Sequence, residues 1–134
     1  MAVAPIFIGT VKTASQTFVN ADGTTVKTLY TAGASGGKVQ FANATSDDTV
    51  ARIIRLYVQR GGAGSDFLLG SKTIAIGAGT AAAASVNLLD AAQVPGILED
   101  GTIILGPSDV LRGSMEVAVT AAKTITILTQ GGDF

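Results

Sequence analysis

The sequence predicts an all-β domain: an antiparallel β-sandwich or a jelly-roll-like barrel with at most one short helix. Strand-like runs recur along the chain, and turn segments rich in Gly, Asn, Asp and Ser, such as 20–23, 33–37 and 61–64, separate them. Apolar and polar residues alternate within several runs, which is the period of a sheet with one buried face. The length of 134 residues fits one domain over 1–134.

The predicted strands are short and closely spaced. The strand-like runs are 6–13, 26–30, 38–42, 51–60, 67–76, 86–88, 102–105, 110–111, 114–120 and 124–130. Residues 1–6 are assigned to an extended N-terminal arm. One short helical turn is expected at 89–93. These residues belong to the Ala-rich segment 80–94, and the Pro95-Gly96 pair that follows would stop a helix.

Two runs near the C-terminus show the alternation well. In 124–130, Ile125 and Ile127 point to one face, whereas Thr124, Thr126 and Leu128 point to the other. In 114–120, residues 115, 117 and 119 are predicted to share one face. Each run is therefore expected to place one face in the core.

The run 51–60 departs from this pattern because it carries arginine on both faces. Arg52 shares a face with Ile54, and Arg55 lies on the other face beside Ile53. A strand of this kind is expected to be covered on both sides. Its arginines would then pair with carboxylates or reach an interface, and the sequence leaves both readings open.

The chain carries few charges. Charged residues make up 14% of the sequence, against about 25% in an average soluble domain. A sparsely charged surface is typical of a subunit that neighbours cover. The net charge is −1 and the basic residues are scattered, so no nucleic-acid partner is predicted. No apolar run is long enough to span a membrane, and the N-terminus lacks the basic region of a secretory signal.

The residue types needed for most catalysis are missing, so the chain is predicted not to be an enzyme. It has no His and no Cys, which also excludes disulfides and the usual transition-metal ligands. Serine catalysis would need a lysine base, and no such pair is predicted. The acidic pair Asp47-Asp48 lacks calcium-loop spacing, so no metal site is predicted.

Two glycine-rich segments resemble nucleotide-binding loops but fail in context. Residues 77–82 match G-x-G-x-x-A, yet the run 96–98 before Glu99 is too short for the second buried strand of a dinucleotide fold. The segment 33–38 would need Gly at position 32 and Ser or Thr at 39 to bind phosphate. The sequence has Ala32 and Val39 there, so no cofactor is predicted.

Three stretches together carry a family resemblance. The segment 28–33 precedes a glycine turn and the strand 39–43, the segment 105–111 places a Pro/Gly turn and an Asp before a strand, and 126–134 closes the chain. This order resembles small β-sandwich virion proteins of tailed bacteriophages, including capsid decoration or cement proteins. The resemblance covers residues 28–134.

The resemblance implies a structural virion protein made in the host cytoplasm and placed on the capsid exterior. Its partners would be copies of itself, with a trimer favoured, and a major capsid protein. The candidate assembly contacts are Pro5, Ile6, Phe7, Arg52, Arg55 and Phe134. A tail- or fibre-associated module that binds a receptor or glycan is the main alternative. An enzyme with an unrecognised nucleotide site is the third possibility.

Overall fold

The computed structural model of the chain describes residues 8–94 and 96–134, so the predicted N-terminal arm over 1–6 lies outside the described residues. The nine strands β1 to β9 span Thr10–Val19, Lys27–Thr31, Gly37–Ser46, Arg52–Gln59, Asp66–Ile74, Val86–Asn87, Ile103–Leu105, Val110–Met115 and Thr124–Asp133. Two single 3-10 turns lie at Asn20–Asp22 and Arg60–Gly62. In the described ranges, no helix is long and apolar enough to cross a membrane.

The strands form two antiparallel sheets that pack against each other, which confirms the predicted β-sandwich. Sheet A has the order β1-β9-β3-β6, and β7 also pairs with β3. Sheet B has the order β2-β8-β4-β5. Across the residues that the structure describes, neither sheet closes on itself. The fold is therefore an open sandwich and not the barrel that the sequence left as an alternative.

The core lies between the sheets and follows the predicted alternation. In β9, Ile125 and Ile127 are fully buried, whereas Leu128 faces outward. Sheet B contributes Ile54 and Leu56 of β4, which are also fully buried. Complete burial of one such side chain stabilises the fold by about 1.5–3 kcal/mol.

β8 differs from the prediction because two runs merge and the second one is cut short. The runs 110–111 and 114–120 form one strand that ends at Met115. The N–H of Glu116 still donates to the Ile53 carbonyl at 2.9 Å, and the chain then leaves the sheet. The alternation therefore ends there: Met115 and Val119 are buried, but Val117 is 60% exposed. The prediction that these three residues share a face is wrong for Val117.

β1 is longer than predicted, and the expected helical turn is a single hydrogen-bonded turn that does not extend into a helix. β1 pairs with β9 over ten residues, from Thr10 to Val19, although the sequence indicated a strand only over 6–13.

At 89–93 the chain makes a hydrogen-bonded turn, in which the Asp90 carbonyl accepts from the N–H groups of Gln93 and Val94. The side-chain carboxylate of Asp90 also accepts from the Ala92 N–H, which favours a local turn.

The outward face of sheet A is uncharged across its centre. Three rows of side chains cross β1, β9 and β3 in register: Thr17–Thr126–Thr45, Ser15–Leu128–Asn43 and Thr13–Gln130–Phe41. We call these nine side chains the neutral face. Sheet B differs, since its outward face carries the ion pairs Arg55–Glu116 and Arg112–Asp66.

The connecting loops gather at the two ends of the sandwich. We call one the Asp48 end, which holds the loops 20–26, 47–51 and 116–123. The other is the Phe134 end, which holds the loops 32–36, 60–65 and 106–109. β4 runs from the Asp48 end to the Phe134 end, and β9 ends at the latter.

A buried tyrosine is fixed by a carboxylate at the Phe134 end. Asp133 accepts hydrogen bonds from the Gly33 N–H at 3.0 Å and from the Tyr30 hydroxyl at 3.4 Å. The Lys12 ammonium lies 3.2 Å from the same carboxylate. Burial, together with the negative charge of Asp133 and the hydrogen bond to it, raises the pKa of Tyr30 to about 12.

The hydroxyl group of Tyr30 should therefore ionise only at high pH. In Tyr57→Phe protein, Tyr30 is the one tyrosine left of two, and ultraviolet absorbance should show its ionisation centred near pH 12. An unfolded tyrosine ionises near pH ~10. Because the folded pKa is the higher one, the stability linked to Tyr30 is complete below that pH and is lost as pH rises towards 12.

The control for this prediction is Asp133→Asn, which removes the negative charge and should lower the midpoint towards pH ~10. Circular dichroism recorded in parallel reports whether the sheets remain folded. A midpoint near pH ~10 in protein that is still folded and retains Asp133 would contradict the prediction.

Candidate assembly surface

An apolar recess lies at the Asp48 end of the described surface, where β4 begins and β8 ends. Exposed Val50, Ile53 and Val117 surround it, and Arg52 and Glu116 complete its sides. Its volume is about 330 Å³. We call these three apolar side chains the valine recess. Exposed apolar side chains that lie together, rather than singly, are typical of interaction sites.

A buried carboxylate holds the two loops that carry the valine recess. The Oδ1 atom of Asp48 accepts from the Val50 N–H at 3.0 Å and from the Thr120 hydroxyl at 2.6 Å. Its Oδ2 atom accepts from Arg52 Nε at 2.9 Å and from the Thr120 N–H at 3.0 Å. The loop before β4 and the loop after β8 are therefore tied to one side chain.

The Asp48 carboxylate stays ionised because its surroundings donate to it from several sides. Its side chain is fully buried, and burial alone would raise its pKa. The hydrogen bonds from Thr120, Arg52 and Val50 outweigh that effect and hold the pKa of Asp48 well below its usual range.

The structure shows that both arginines of β4 pair with carboxylates within the chain. Arg52 binds Asp48, and its Nη2 also donates to the Thr120 hydroxyl at 2.8 Å. Its side chain is only 12% exposed, so Arg52 contributes to the buried part of the recess lining. It lies on the inward face of β4, as the sequence indicated.

Arg55 lies on the outward face of sheet B, next to the recess. Its guanidinium is 3.0 Å from Glu116, and both side chains are substantially exposed. The hydrogen bond to Glu116 and the charge of that carboxylate raise the pKa of Arg55. The valine recess is thus bordered by one exposed pair of opposite charges. The described residues cover only the inward side of β4, since Ile53 and Arg55 on the other side are exposed. Cover of this side by a partner stays a prediction.

The three candidate contacts that the structure describes lie at different places in the sandwich. Phe134 lies at the Phe134 end, where its N–H donates to the Gly36 carbonyl at 3.1 Å and its side chain is half-buried. Arg52 and Arg55 belong to the other end and to the middle of β4. Pro5, Ile6 and Phe7 lie outside the described residues. Their role in assembly stays a prediction.

A second, more open groove lies at the Phe134 end. Its volume is about 550 Å³, and Arg60, Phe67, Pro107 and Asp109 line it together with Gly61 and Gly106. Both oxygens of Asp109 already accept backbone N–H groups, from Gly61 at 2.9 Å and from Gly106 at 3.1 Å. Within 8–94 and 96–134, Phe67 is the one exposed aromatic side chain, so the groove lacks a platform of several rings for sugars.

The segments 47–48 and 77–82, which were considered for metal or nucleotide binding, form hydrogen bonds within the chain. Asp47 and Asp48 point to different partners, because Asp47 accepts from the Thr124 N–H at 2.7 Å. No group of three acidic, His or Cys residues lies together among the residues described. Residues 77–82 form a tight turn, in which Gly79 donates to the Ala83 carbonyl at 2.8 Å. No helix follows this turn to present its N-terminus to a phosphate.

One Ser-x-x-Lys spacing is present in the chain, at Ser35 and Lys38, and the sequence prediction overlooked it. Ser35 lies in a tight turn closed by the Gly36 N–H and the Gly33 carbonyl at 3.0 Å. The Lys38 ammonium lies 3.8 Å from Asp100. It makes no hydrogen bond to Ser35 in the described structure, so this spacing does not form a nucleophile–base pair.

Sequence reasoning missed the valine recess. Val117 was expected to be buried with Met115, and nothing in the run 114–120 marks the point where the strand ends. Ile53 was placed correctly on the face of Arg55. An apolar residue on the same face as an exposed charge was the one signal that could have indicated an interface edge.

No family model matches the chain, and no curated protein matches it significantly.

Proposed function

We propose that this chain is a structural virion protein that decorates a phage capsid and binds between capsomers. The observation that supports the proposal best is the valine recess, an apolar site at the edge of a domain with few charges. The resemblance over 28–134 supplies the class of partner, a major capsid protein.

The recess is suited to binding because it is already formed. Asp48 fixes Val50 through a backbone hydrogen bond and fixes the segment after Val117 through Thr120. Little conformational entropy is then lost when a partner covers these side chains. Arg52 acts as a positioning residue in this arrangement, and Arg55 with Glu116 would set the orientation of the partner.

The chemistry of the recess favours a protein partner. Its exposed atoms are mainly those of valine and isoleucine side chains, which gain about 25 cal/mol for each Å² removed from water. Such a contact is weak at one site. On a capsid it is repeated at every equivalent position, and each occupied position stabilises the assembled shell by mass action.

Changing Val117 to Asp should abolish most capsid binding without unfolding the domain. Val117 is 60% exposed, so a carboxylate there remains hydrated in the free protein but would be buried in the complex. We expect at least a tenfold loss of affinity, measured by co-sedimentation with expanded capsids of the phage that encodes the chain. The melting temperature should stay close to that of the unchanged protein.

The matched control is Val11→Asp, which makes the same change at a residue that is 73% exposed at the Phe134 end. It should bind capsids normally. Failure of the unchanged protein to bind, or equal binding by both variants, would refute the role proposed for the recess.

A further inference from the structure

We propose that the groove at the Phe134 end binds an extended acidic segment of a partner protein, which adds to the edge of β5 and places a carboxylate on Arg60. This groove lies at the opposite end of the sandwich from the valine recess, so the inference does not depend on the virion role. It rests on a cation that the fold does not neutralise, an exposed ring beside it and an open strand edge.

Arg60 is a cation that the described part of the chain does not neutralise. Ion pairs engage seven of the nine basic side chains, and within 8–94 and 96–134 only Arg60 and Lys123 pair with no carboxylate. Asp109 shares the groove, but its two oxygens already accept backbone N–H groups. The guanidinium of Arg60 can therefore donate to an anion from outside, and a carboxylate accepts two of its N–H groups at once.

Apolar groups beside this cation determine what carries the anion. Phe67 is 57% exposed, and it lines the groove together with Pro107 and Arg60. An acidic residue with apolar neighbours in a peptide fits both parts, because its carboxylate meets the guanidinium and its neighbours cover the ring. Nucleic acid would need a cluster of cations, and a single arginine does not provide one.

The groove is formed before any ligand binds. Asp109 joins the loop 60–65 to the loop 106–109 through the two hydrogen bonds that it accepts. Ser108 in the second loop has a φ of 59°, in the left-handed region that disfavours a residue with a side chain. Its N–H donates to the Gly33 carbonyl at 2.9 Å, which holds it in place. Strained backbone of this kind is found at ligand sites, where it fixes the geometry in advance.

The two open sides of the sandwich differ in how their strand edges are occupied. On the side of β1 and β2, Gln16 Nε2 donates to the Thr28 carbonyl at 3.1 Å. Lys27 Nζ donates to the Thr17 carbonyl at 2.5 Å on the same side. On the other side β5 pairs with β4 alone, and among the described residues its backbone makes no hydrogen bond outside that pairing. An edge of this kind can accept a further strand.

A β-bulge limits the open edge to the part beside the groove. Leu69 is an extra residue in the pairing of β5 with β4, and a bulge interrupts regular strand pairing. The edge before the bulge is 66–68, and Phe67 within it lines the groove. A peptide strand added there would direct alternate side chains towards the groove.

The first test uses an array of heptapeptides in which apolar residues alternate with Glu, Gln or Lys. We expect the folded protein to bind Glu peptides and not Lys peptides. The tightest Glu peptide is then titrated by fluorescence anisotropy, and Arg60→Gln should raise its dissociation constant at least tenfold. Lys123→Gln is the matched control, because it removes the other unpaired cation, which lies at the Asp48 end, and it should leave the affinity unchanged.

The second test locates the bound peptide by nuclear magnetic resonance. The amide signals of 60–64 and 66–68 should shift, and amide hydrogen exchange at 66–68 should slow because the edge gains a partner. Phe67→Ala should weaken binding, whereas Ile104→Ala, at a residue that is 58% exposed on β7, should not. No binding by any Glu peptide, equal affinity of the two charge variants, or shifts confined to the valine recess or the neutral face would overturn the proposal. An anionic glycan that binds this groove while no peptide does would overturn it as well.

Discussion

Asp48→Ala protein is expected to be less stable than the unchanged protein by about 3–5 kcal/mol, the usual cost of removing one partner from a buried ion pair. Asp48 is buried and accepts hydrogen bonds from Thr120, Arg52 and Val50. Without it, the Arg52 guanidinium would be left largely buried with no carboxylate. Urea unfolding followed by circular dichroism gives the free energy directly.

The neighbouring residue provides a matched control for this experiment. Asp47 accepts a single hydrogen bond from the Thr124 N–H and is exposed. Asp47→Ala should therefore cost only about 1 kcal/mol. If the two alanine variants were equally stable, the view that Asp48 holds the two loops together would be wrong.

The same carboxylate predicts how stability depends on pH. The folded pKa of Asp48 lies below its unfolded value, which is ~3.9 for an aspartate. Its contribution is therefore present at neutral pH and is lost as pH falls from about 4 towards the folded pKa. Asp48→Asn protein should lose less stability over that acidic range than the unchanged protein does.

Gly131→Ala protein is expected to lose about 3 kcal/mol, the upper end of what overpacking usually costs, or to fail to fold. Gly131 lies in β9 between its neighbours β1 and β3. An alanine methyl group there would overlap the Lys38 carbonyl oxygen and approach the Val39 Cα to 2.9 Å. Both obstacles are backbone atoms, so β3 would have to separate from β9.

Gly9→Ala is the control for the glycine experiment. The nearest atom to its added methyl group is the Asp133 carbonyl oxygen at 3.7 Å, an ordinary contact. Its free energy of unfolding should change by no more than ~0.5 kcal/mol. Gly131→Ala protein that is as stable as this control would show that β3 and β9 do not approach so closely.

The β-sandwich could be predicted because apolar inward residues and mostly polar outward residues alternate along β9. Ile125 and Ile127 mark the buried side, and the pattern needs no knowledge of the partner strands. The second half of β1 could not be predicted in this way. Its inward side carries Gln16 between Ala14 and the fully buried Phe18, so a single strongly apolar residue marks that side and the alternation is weak.

The candidate site was harder to predict because it depends on contacts between distant parts of the chain. Thr120 lies 72 residues from Asp48, and no local pattern joins them. The sequence did identify Arg52 and Arg55 as unusual, and it left open whether they pair internally. The structure shows that both do so, and the side chains left exposed beside them are the apolar Val50, Ile53 and Val117.

The central place of β9 in sheet A affects the synthesis of the protein. β1 and β3 both pair with β9, so neither has its main partner until residues 124–133 leave the ribosome. At ~5–20 residues per second, β3 waits roughly 4–16 s for that strand. During this time β1 and β3, which carry one lysine each, have unpaired edges that are prone to wrong pairing with other chains. Correct folding of sheet A therefore depends on how quickly β9 inserts between two strands that were made long before it.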